Sequence, residues 1–338
     1  MNHDIDIVIP WVDDSDFAWR RDKNTWYQKI NPDQSANSHT RYQSWDNLKY
    51  WFRSVEKFLP WFHKIYFITY GHVPDFLRTE DSRLCVVRHE DFIPAEFLPT
   101  FQVCAIEMNL HRIPGLSENI LYCNDDTFWL DYVEEDYYFQ NDTVCDEAVE
   151  TPIIPMLSGD IAKYTWNMRA LDISIINRHF SKRKVQREKH DKWFSEVFYG
   201  ELTERNRSLA YWDHFIGFRD PHLPSALKKA TFEKIWNAEP EILQETCSAK
   251  FRNFSCVNYW LARYWQLCEG DFIPRRTLGK SYVVTIRNYK EIADVIRTQA
   301  QPVICLNEDC SPEEFVRIKA EINSALGNLL PDKSSFEK

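Results

Sequence analysis

Short apolar runs that end directly in polar loops place the strongest constraint on how this chain can fold. The first run, residues 5–10 (IDIVIP), is followed by a polar loop at residues 11–16. A later run, residues 119–123 (NILYC), leads straight into the acidic tripeptide 124–126. Apolar runs of this length are typical of buried strands, and the segments between them have helical periodicity. This alternation predicts an α/β protein with a mostly parallel central sheet and a mainly helical insertion.

The same patterns predict the remaining elements. Further strands are expected at residues 64–69, 84–87, 281–286 and 303–306. Helices are expected at residues 44–58, 100–112, 168–180, 225–236, 254–267 and 312–326. We expect Ser44 to cap the first of these helices and Gly327 to lie just past the end of the last.

The chain divides into four predicted regions. Residues 1–160 form an α/β core, and residues 161–275 form a mainly helical region. Residues 276–330 return to the core with a strand and a helix, and residues 331–338 form a flexible tail. Within the helical region, the charged stretch 181–206 is expected to be a solvated helix or loop.

Charge and composition exclude several classes of protein. The 41 basic and 51 acidic side chains give a net charge of −10, whereas a nucleic-acid-binding protein needs a concentrated basic face. The sequence has no stretch of about 18 apolar residues, and its first residues lack the pattern of a signal peptide. The nine cysteines include no C-x-x-C pair. These features predict a cytoplasmic protein with reduced thiols and no nucleic-acid partner.

Two acidic tripeptides follow apolar runs and are candidate metal sites. Asp125 and Asp126 would offer oxygen ligands on a stiff support, as a hard divalent cation requires. A simple turn is the alternative, because Asn and Asp favour turns. The second tripeptide, residues 307–309, follows the run at 303–306, and the two tripeptides could bracket one metal ion or phosphate group. Its alternative is a helix N-terminus, where acids interact favourably with the helix dipole.

The loop after the first run is a candidate nucleotide site. Trp11 offers a ring on which a base could stack, and Asp13 or Asp16 could reach ribose hydroxyls. The alternative is a polar loop around a half-buried tryptophan.

His222, Lys228 and Arg252 are further candidates. His222 lies between two prolines at a predicted helix start, which suits proton transfer or a phosphate contact, and Lys228 follows it. The guanidinium of Arg252 could bind phosphate oxygens in a forked geometry. Structural roles are the alternative for each. The sequence has no P-loop, no G-x-G-x-x-G and only eight glycines, so phosphate must be held by cations and helix termini.

Four blocks of the sequence resemble the Stealth family of hexose-1-phosphate transferases, which includes bacterial capsular polysaccharide phosphotransferases and the catalytic core of the animal N-acetylglucosamine-1-phosphotransferase. The first block is residues 5–16, and the second and longest is residues 47–139. The third combines H-x-P at residues 222–224 with FRNFSCVN at residues 251–258. The fourth is ICLNED at residues 304–309.

The resemblance implies a Rossmann-like core of the nucleotide-sugar transferase type. It implies transfer of sugar-1-phosphate, usually of an N-acetylhexosamine, from a UDP-sugar donor to a surface polysaccharide or lipid-linked oligosaccharide acceptor, with UMP leaving. A lipid-linked acceptor would bring the enzyme to the inner face of the membrane as a peripheral protein. The expected cofactor is a divalent cation, Mg²⁺ first and Mn²⁺ as the alternative.

The resemblance places Asp125, Asp126, His222 and Arg252 in the active site, and the other role assignments come from the residues themselves. Catalytic roles fall on Asp126, His222 and Arg252, with either Asp126 or His222 as the base. Metal binding falls on Asp125, Asp126 and Asp309. Substrate binding is assigned to Trp11, Asp13, Ser15, Asp16, Asn124, Lys228 and Asn258.

The chain departs from the family pattern at three positions. Asp14 stands where the family usually has glycine, and Phe17 where proline is common. Cys256 replaces an acid after the F-R pair. Two other functions stay open at this point. One is a metal-dependent glycosyltransferase that releases UDP, and the other is a non-catalytic carbohydrate-binding protein, which the 13 tryptophans and 16 tyrosines would suit.

Overall fold

The computed structural model describes residues 4–32, 44–155 and 162–338. The strands of this part of the chain are β1 (Ile5–Pro10), β2 (Ile65–Thr69), β3 (Leu84–Arg88), β4 (Asn119–Tyr122), β5 (Thr127–Trp129), β6 (Phe139–Gln140), β7 (Thr143–Asp146), β8 (Ser225–Lys228), β9 (Phe272–Pro274), β10 (Lys280–Val284) and β11 (Val303–Glu308). Each strand that the sequence predicts is present and begins within one residue of its expected start.

The helices surround these strands. They are α1 (Phe17–Ile30), α2 (Leu48–Phe58), α3 (Val103–Met108), α4 (Ala162–His179), α5 (Lys182–Glu188), α6 (His190–Trp193), α7 (Glu196–Tyr199), α8 (Thr203–Leu209), α9 (Lys229–Ala238), α10 (Pro240–Ser248), α11 (Tyr259–Glu269), α12 (Tyr289–Arg297) and α13 (Pro312–Leu329). None of the helices in the described ranges is long and apolar enough to cross a membrane.

The central sheet has the strand order β3-β2-β1-β4-β8. The first four strands are mutually parallel, and β8 is antiparallel to β4. The chain leaves β1 towards β2 and β3 and then returns to place β4 on the other side of β1. This reversal is a topological switch point, where open α/β sheets bind their ligands. The predicted α/β class with a mostly parallel central sheet is confirmed.

The strand β8 corrects the prediction of a helix over residues 225–236. Ser225 pairs with Tyr122 at the carboxyl end of β4, whereas Lys228 pairs with Asn119 at its amino end. The helix, α9, begins only at Lys229. Burial of Ala226 and Leu227 against the sheet overrides the helical pattern.

Two smaller sheets complete the fold. One has the order β10-β11-β5, with β10 and β11 parallel and β5 antiparallel to β11. The other has the order β6-β7-β9. The first of these joins the segment after β4 to the C-terminal region, and this pairing shapes the site described below.

Several helix boundaries differ from prediction. The helix expected at residue 44 begins at Leu48, because Asp46 has a left-handed backbone (φ 51°) and the Ser44 hydroxyl bonds to the Asp46 side chain instead of capping. The helix expected at 254 begins at Tyr259, where the side chain of Asn258 caps it.

Two helices end at residues other than those predicted. α3 ends at Met108, where the Asn109 side chain donates to the Ala105 carbonyl at 2.8 Å and competes with the helical backbone. α13 runs on through Gly327, whose position in the helix is close-packed, since a Cβ there would lie 2.9 Å from the Tyr50 hydroxyl.

Alternate residues of β1 face two apolar layers. Ile7 and Ile9 pack into the layer that contains α2, α12 and α13, whereas Val8 packs into the layer that contains α9 and α11. The sheet therefore has helices on both faces, as its parallel strands require. This packing fixes the carboxyl edge of β1 and β4 from both sides.

The charged stretch 181–206 forms short helices that are mostly exposed, with one buried ion pair. The Lys182 ammonium lies 2.9 Å from a carboxylate oxygen of Glu150, and both side chains are fully buried. The pairing of the two opposite charges explains why a lysine can be buried here.

The C-terminal residues 331–338 differ from the predicted flexible tail. Phe336 is fully buried in the layer of α2. The Glu337 carboxylate accepts two bonds at 2.7 Å from the Arg53 guanidinium. One aromatic anchor and one bidentate ion pair hold this segment against the core.

Candidate active site

The site lies at the carboxyl edge of β1 and β4. Val8 is paired with Tyr122, and the Cys123 N–H donates to the Val8 carbonyl at 3.1 Å. The loops that follow these two strands therefore begin side by side at the switch point. Both acidic loops therefore lie at one edge of the sheet.

The loop after β1 is built around Trp11 and His72. The Trp11 ring stacks on Phe67 with a centroid distance of 5.4 Å and meets the edge of His72 at 5.3 Å. The Asp13 N–H donates to His72 Nε2 at 2.8 Å. Burial lowers the pKa of His72, although the charges of Asp16 and Asp13 oppose this. A neutral His72 thus buttresses the loop.

The polar side chains of this loop already have structural partners. Asp13 Oδ1 accepts the Ser15 N–H at 2.8 Å, and Asp16 Oδ1 accepts the Trp19 N–H at 2.7 Å as the N-cap of α1. Ser15 itself is exposed. Each carboxylate keeps one oxygen beyond these bonds, so nucleotide contacts from Asp13 and Asp16 stay a prediction.

Pairing of β5 with β11 brings the two acidic tripeptides together. Thr127 pairs with Cys305, and the Leu306 N–H donates to the Asp126 carbonyl at 2.9 Å. The residues around Asn124 and Asp125 therefore run beside the end of β11. The sequence could only suggest this juxtaposition, since the tripeptides are far apart along the chain.

Burial raises the pKa values of the acids at this edge. The Asp125 side chain reaches solvent, yet surrounding protein atoms desolvate its carboxyl, and this burial together with the charges of Asp126 and Glu308 raises the pKa of Asp125 to about 7. Burial also raises the pKa of Asp126, against the effect of His222 and of the Cys305 thiol. Three carboxylates crowd one edge, which favours a bound cation.

Glu308, and not the predicted Asp309, is the acid of the second tripeptide that acts on Asp125. Asp309 is exposed, and its N–H donates to the Val284 carbonyl at 2.9 Å. Glu308 is the last residue of β11 and accepts a bond at 3.0 Å from the indole N–H of Trp45. Because Glu308 still belongs to β11, it lies at the same edge as Asp125, whereas Asp309 is beyond the end of the strand.

His222 meets Asp126 because β8 is antiparallel to β4. Its Nε2 lies 4.0 Å from Asp126 Oδ2, with about one third of its side chain exposed (33%). His222 has a left-handed backbone (φ 52°), and its N–H donates to Asp220 Oδ1 at 2.9 Å. The bond to Asp220 therefore holds His222 in a left-handed conformation, which costs any residue other than glycine free energy.

Arg252 lies in the loop between α10 and α11. The neighbouring Phe251 is buried and stacks on Phe101 with a centroid distance of 5.4 Å. The Phe101 N–H also donates to the Lys250 carbonyl at 2.9 Å. The Arg252 Nε is buried without a protein acceptor, which leaves its guanidinium able to bind an anionic ligand.

Glu107 connects Arg252 with His222. Its carboxylate accepts the Tyr122 hydroxyl at 2.7 Å and the Tyr259 N–H at 3.3 Å. Burial raises the pKa of Glu107, while these bonds and the positive charges of Arg252 and His222 lower it. Arg252 and His222 thus both act electrostatically on one buried carboxylate.

Two predicted substrate-binding residues have structural roles. Asn258 is buried, and its Oδ1 accepts the Trp260 N–H at 3.1 Å at the start of α11. Lys228 donates to Asn119 Oδ1 at 2.7 Å and to the Asp142 carbonyl at 2.9 Å. Because Lys228 is at the far end of β8, about 10 Å from Ser225, its assignment to the site is wrong.

The donor set at this edge fits a divalent cation. Among the described residues, the side-chain group with ligand atoms within 4.8 Å of one another comprises Asp126, His222 and Cys305. Burial and the Asp126 charge raise the pKa of Cys305, so this thiol is protonated and a poor ligand. Asp126 offers the carboxylate oxygen that Mg²⁺ or Mn²⁺ prefers, and Asp125 and Glu308 are acids of the same edge that this group does not include.

Sequence reasoning missed Glu107 and Asp220. Glu107 interrupts the apolar run at residues 104–106, and an acid in such a run signals burial with a partner. Asp220 stands two residues before His222, the spacing of an Asx turn.

The sequence is similar to that of known proteins. Residues 41–146 match the family described as Stealth protein CR2, conserved region 2. Capsular polysaccharide phosphotransferase WcwK of Streptococcus pneumoniae is 38% identical, over 99% of this chain and 98% of that protein. Exopolysaccharide phosphotransferase cps2G of Lactiplantibacillus plantarum is 36% identical, over 99% of this chain and 96% of that protein.

A solved structure, the apo-form glycosyltransferase GlyE of Streptococcus pneumoniae TIGR4, aligns with 95% of this chain and 79% of its own, at 10% identity and a TM-score of 0.25. That likeness is too weak to support an argument. The two phosphotransferases are matched over almost their whole length, and from them it follows that this chain belongs to the Stealth family of phosphotransferases.

Proposed function

We propose that the protein transfers a sugar-1-phosphate from a UDP-sugar to a hydroxyl of a growing surface polysaccharide and releases UMP. The N-acetylhexosamines are the donor sugars that we expect. Support for the polysaccharide acceptor comes from the names of the relatives, which are capsular and exopolysaccharide phosphotransferases. We place the reaction in the cytoplasm, at the inner face of the membrane when the acceptor is lipid-linked.

The observation that carries the proposal is the approach of His222 Nε2 to Asp126 Oδ2, at 4.0 Å, beside the switch point of the sheet. A proton acceptor and a carboxylate that can hold a cation stand where an α/β sheet binds its ligand. Arg252, with its unpartnered Nε, is linked to them through Glu107. This arrangement suits a pyrophosphate.

In the proposed reaction, the acceptor hydroxyl oxygen bonds to the phosphorus nearest the donor sugar. The bond from that phosphorus to the bridging oxygen breaks, and UMP leaves with the electron pair and that oxygen. The hydroxyl proton passes to His222, since a carboxylate that holds a cation is a weak base. Arg252 donates to the phosphoryl oxygens and stabilises their charge.

Asp125 and Asp126 would hold the cation, with Glu308 beside them. When bound, a divalent cation would neutralise charge on the pyrophosphate oxygens. The loop at Trp11 would receive the uridine, and Asn124, which follows β4 at the same edge, would contact the donor.

The released nucleotide tests the proposal. Purified protein is incubated with UDP-N-acetylglucosamine, UDP-N-acetylgalactosamine, UDP-glucose and UDP-galactose and an oligosaccharide acceptor, and nucleotides are separated by anion-exchange chromatography. UMP together with a phosphodiester signal in the phosphorus NMR spectrum of the product is the expected result. UDP would instead identify a glycosyltransferase, and sugar binding without nucleotide release a carbohydrate-binding protein.

A further inference from the structure

A pocket of about 390 Å³ lies beside the Arg252 loop, outside the edge of the sheet. Its lining includes Tyr164, Ser248 and the residues of the loop from Lys250 to Phe254. This volume is in the range of small-molecule sites and would hold one or two sugar rings. Among its lining residues, Arg252 also takes part in the proposed phosphoryl transfer.

The wall of the pocket carries an aromatic stack. The rings of Phe254 and Tyr164 are nearly parallel, with centroids 4.8 Å apart and an angle of 16°. Tyr164 is buried, whereas Phe254 is 41% exposed. An exposed phenyl ring supported from behind offers a flat apolar surface, and the C–H face of a pyranose is a matching surface.

The loop that forms the pocket is held in place from the core. Lys250 Nζ donates to the carbonyls of Phe97 and Leu98 at 2.9 and 3.2 Å. The Gln102 side chain donates to the Ala249 carbonyl at 2.8 Å. The pocket is therefore formed before a ligand binds, which lowers the entropic cost of binding.

The polar residues at the pocket suit hydroxyl groups. Ser248 and Asn253 are exposed and belong to its lining. Asn253 Oδ1 accepts the Ser255 N–H at 2.9 Å, so the side chain is oriented by its own loop. An apolar wall with a few polar groups is the composition of a carbohydrate subsite, and of the two cations in the lining, Lys250 is engaged by backbone carbonyls.

We infer that this pocket binds a sugar ring of the acceptor, stacked on Phe254, next to the phosphoryl group that Arg252 holds. The inference rests on the proposed function. In an in-line displacement the acceptor approaches the phosphorus opposite the leaving UMP, so acceptor and nucleotide occupy different sides of the site. The proposed nucleotide site is the loop of Trp11, and Arg252 lines the pocket.

Sugar binding to this pocket is measured first without any donor. Saturation-transfer difference NMR is recorded with the methyl glycosides of glucose, galactose and N-acetylglucosamine on wild type, Phe254→Ala and Phe254→Trp. We expect binding of at least one glycoside to wild type, about tenfold weaker binding to Phe254→Ala because one stacking face is lost, and retention in Phe254→Trp. Phe198→Ala is the matched control, since Phe198 is 39% exposed on α7 and does not line the pocket.

The second measurement separates this inference from the proposed function. With donor present, Phe254→Ala should lower kcat/KM for the acceptor about tenfold, whereas Phe198→Ala should leave it unchanged. The pocket assignment is overturned if no glycoside binds wild type, or if Phe254→Ala binds like wild type. Release of UDP with the glycoside result intact would reject phosphoryl transfer and keep the pocket as a sugar site.

Discussion

His222 Nε2 lies 4.0 Å from Asp126 Oδ2, and two strands that pair in opposite directions produce this approach. Asp126 follows β4, and His222 precedes β8, so antiparallel pairing brings both to the same edge. The central sheet is parallel elsewhere. Adding one antiparallel strand is therefore what completes the site.

Replacing Asp126 by Asn should remove the cation site. Loss of one preorganised electrostatic group commonly costs about 10²–10³ in rate, and we expect a loss of this order in UMP release. EDTA should abolish wild-type activity, and Mg²⁺ or Mn²⁺ should restore it. The control is Asp309→Asn, which alters an exposed acid and should leave the rate within about twofold of wild type.

This prediction would be contradicted by full activity in excess EDTA. A loss in Asp309→Asn equal to that in Asp126→Asn would return Asp309 to the site. Glu308→Gln should lie between the two, because Glu308 acts on Asp125 by its charge.

Arg252→Ala should lower kcat by about 10²–10³ while the protein stays folded. The physical reason is the loss of a forked donor to the phosphoryl oxygens, which one ammonium cannot replace, so Arg252→Lys should recover little. Thermal unfolding followed by circular dichroism checks the fold. Arg187→Ala is the matched control, since its side chain is 75% exposed on α5. Unchanged turnover in a folded Arg252→Ala protein would remove the assignment.

Asp220 is predicted to position His222. Asp220→Ala removes the acceptor of the His222 N–H and should lower kcat by about 10–100-fold with little change in KM for the donor. Asp220→Asn retains an acceptor oxygen and should keep most activity. A merely structural role would instead lower stability equally in both variants. In the double variant, Asp220→Ala should add almost nothing to the loss that His222→Ala causes alone.

The strands and their acidic ends could be predicted from the sequence because they depend on local patterns. Residues 119–123 carry both the apolar run and the tripeptide that follows, and parallel strands place such ends at one edge. Pairing partners are not local. Neither the pairing of β8 with β4 nor that of β5 with β11 follows from the sequence. These pairs decide that Glu308 approaches the acids of the site and that Lys228 does not.

Helix starts were less predictable than strands for a related reason. The pattern at residues 225–228 suits a helix, but contacts with β4 select a strand. The helix starts after Asn47, and not after Ser44, because one residue between them, Asp46, has a left-handed backbone. Glu107 also stayed hidden, since its partners Tyr122 and Tyr259 come from other elements.

Asp172 makes stability depend on pH. It lies on α4, fully buried, and burial raises the pKa of Asp172 well above its usual value, with Glu107 and Asp220 adding to this effect and the Asn258 N–H and Arg169 opposing it. A carboxyl whose folded-state pKa is raised stabilises the fold fully below its unfolded pKa of about 4 and loses that contribution as pH rises through the folded-state pKa.

Asp172→Asn should remove this dependence, because the amide stays neutral and has nearly the same shape. The variant should match wild type near pH 4 and become more stable than wild type as pH rises, by up to about 1.4 kcal/mol per pH unit until the folded-state pKa is reached. Melting temperatures from pH 4 to pH 9 measure the difference. Asp309→Asn, which alters an exposed carboxyl, should follow wild type throughout. A constant offset between Asp172→Asn and wild type at every pH would show that Asp172 does not titrate with folding, and that the buried carboxyl keeps the same protonation in both states.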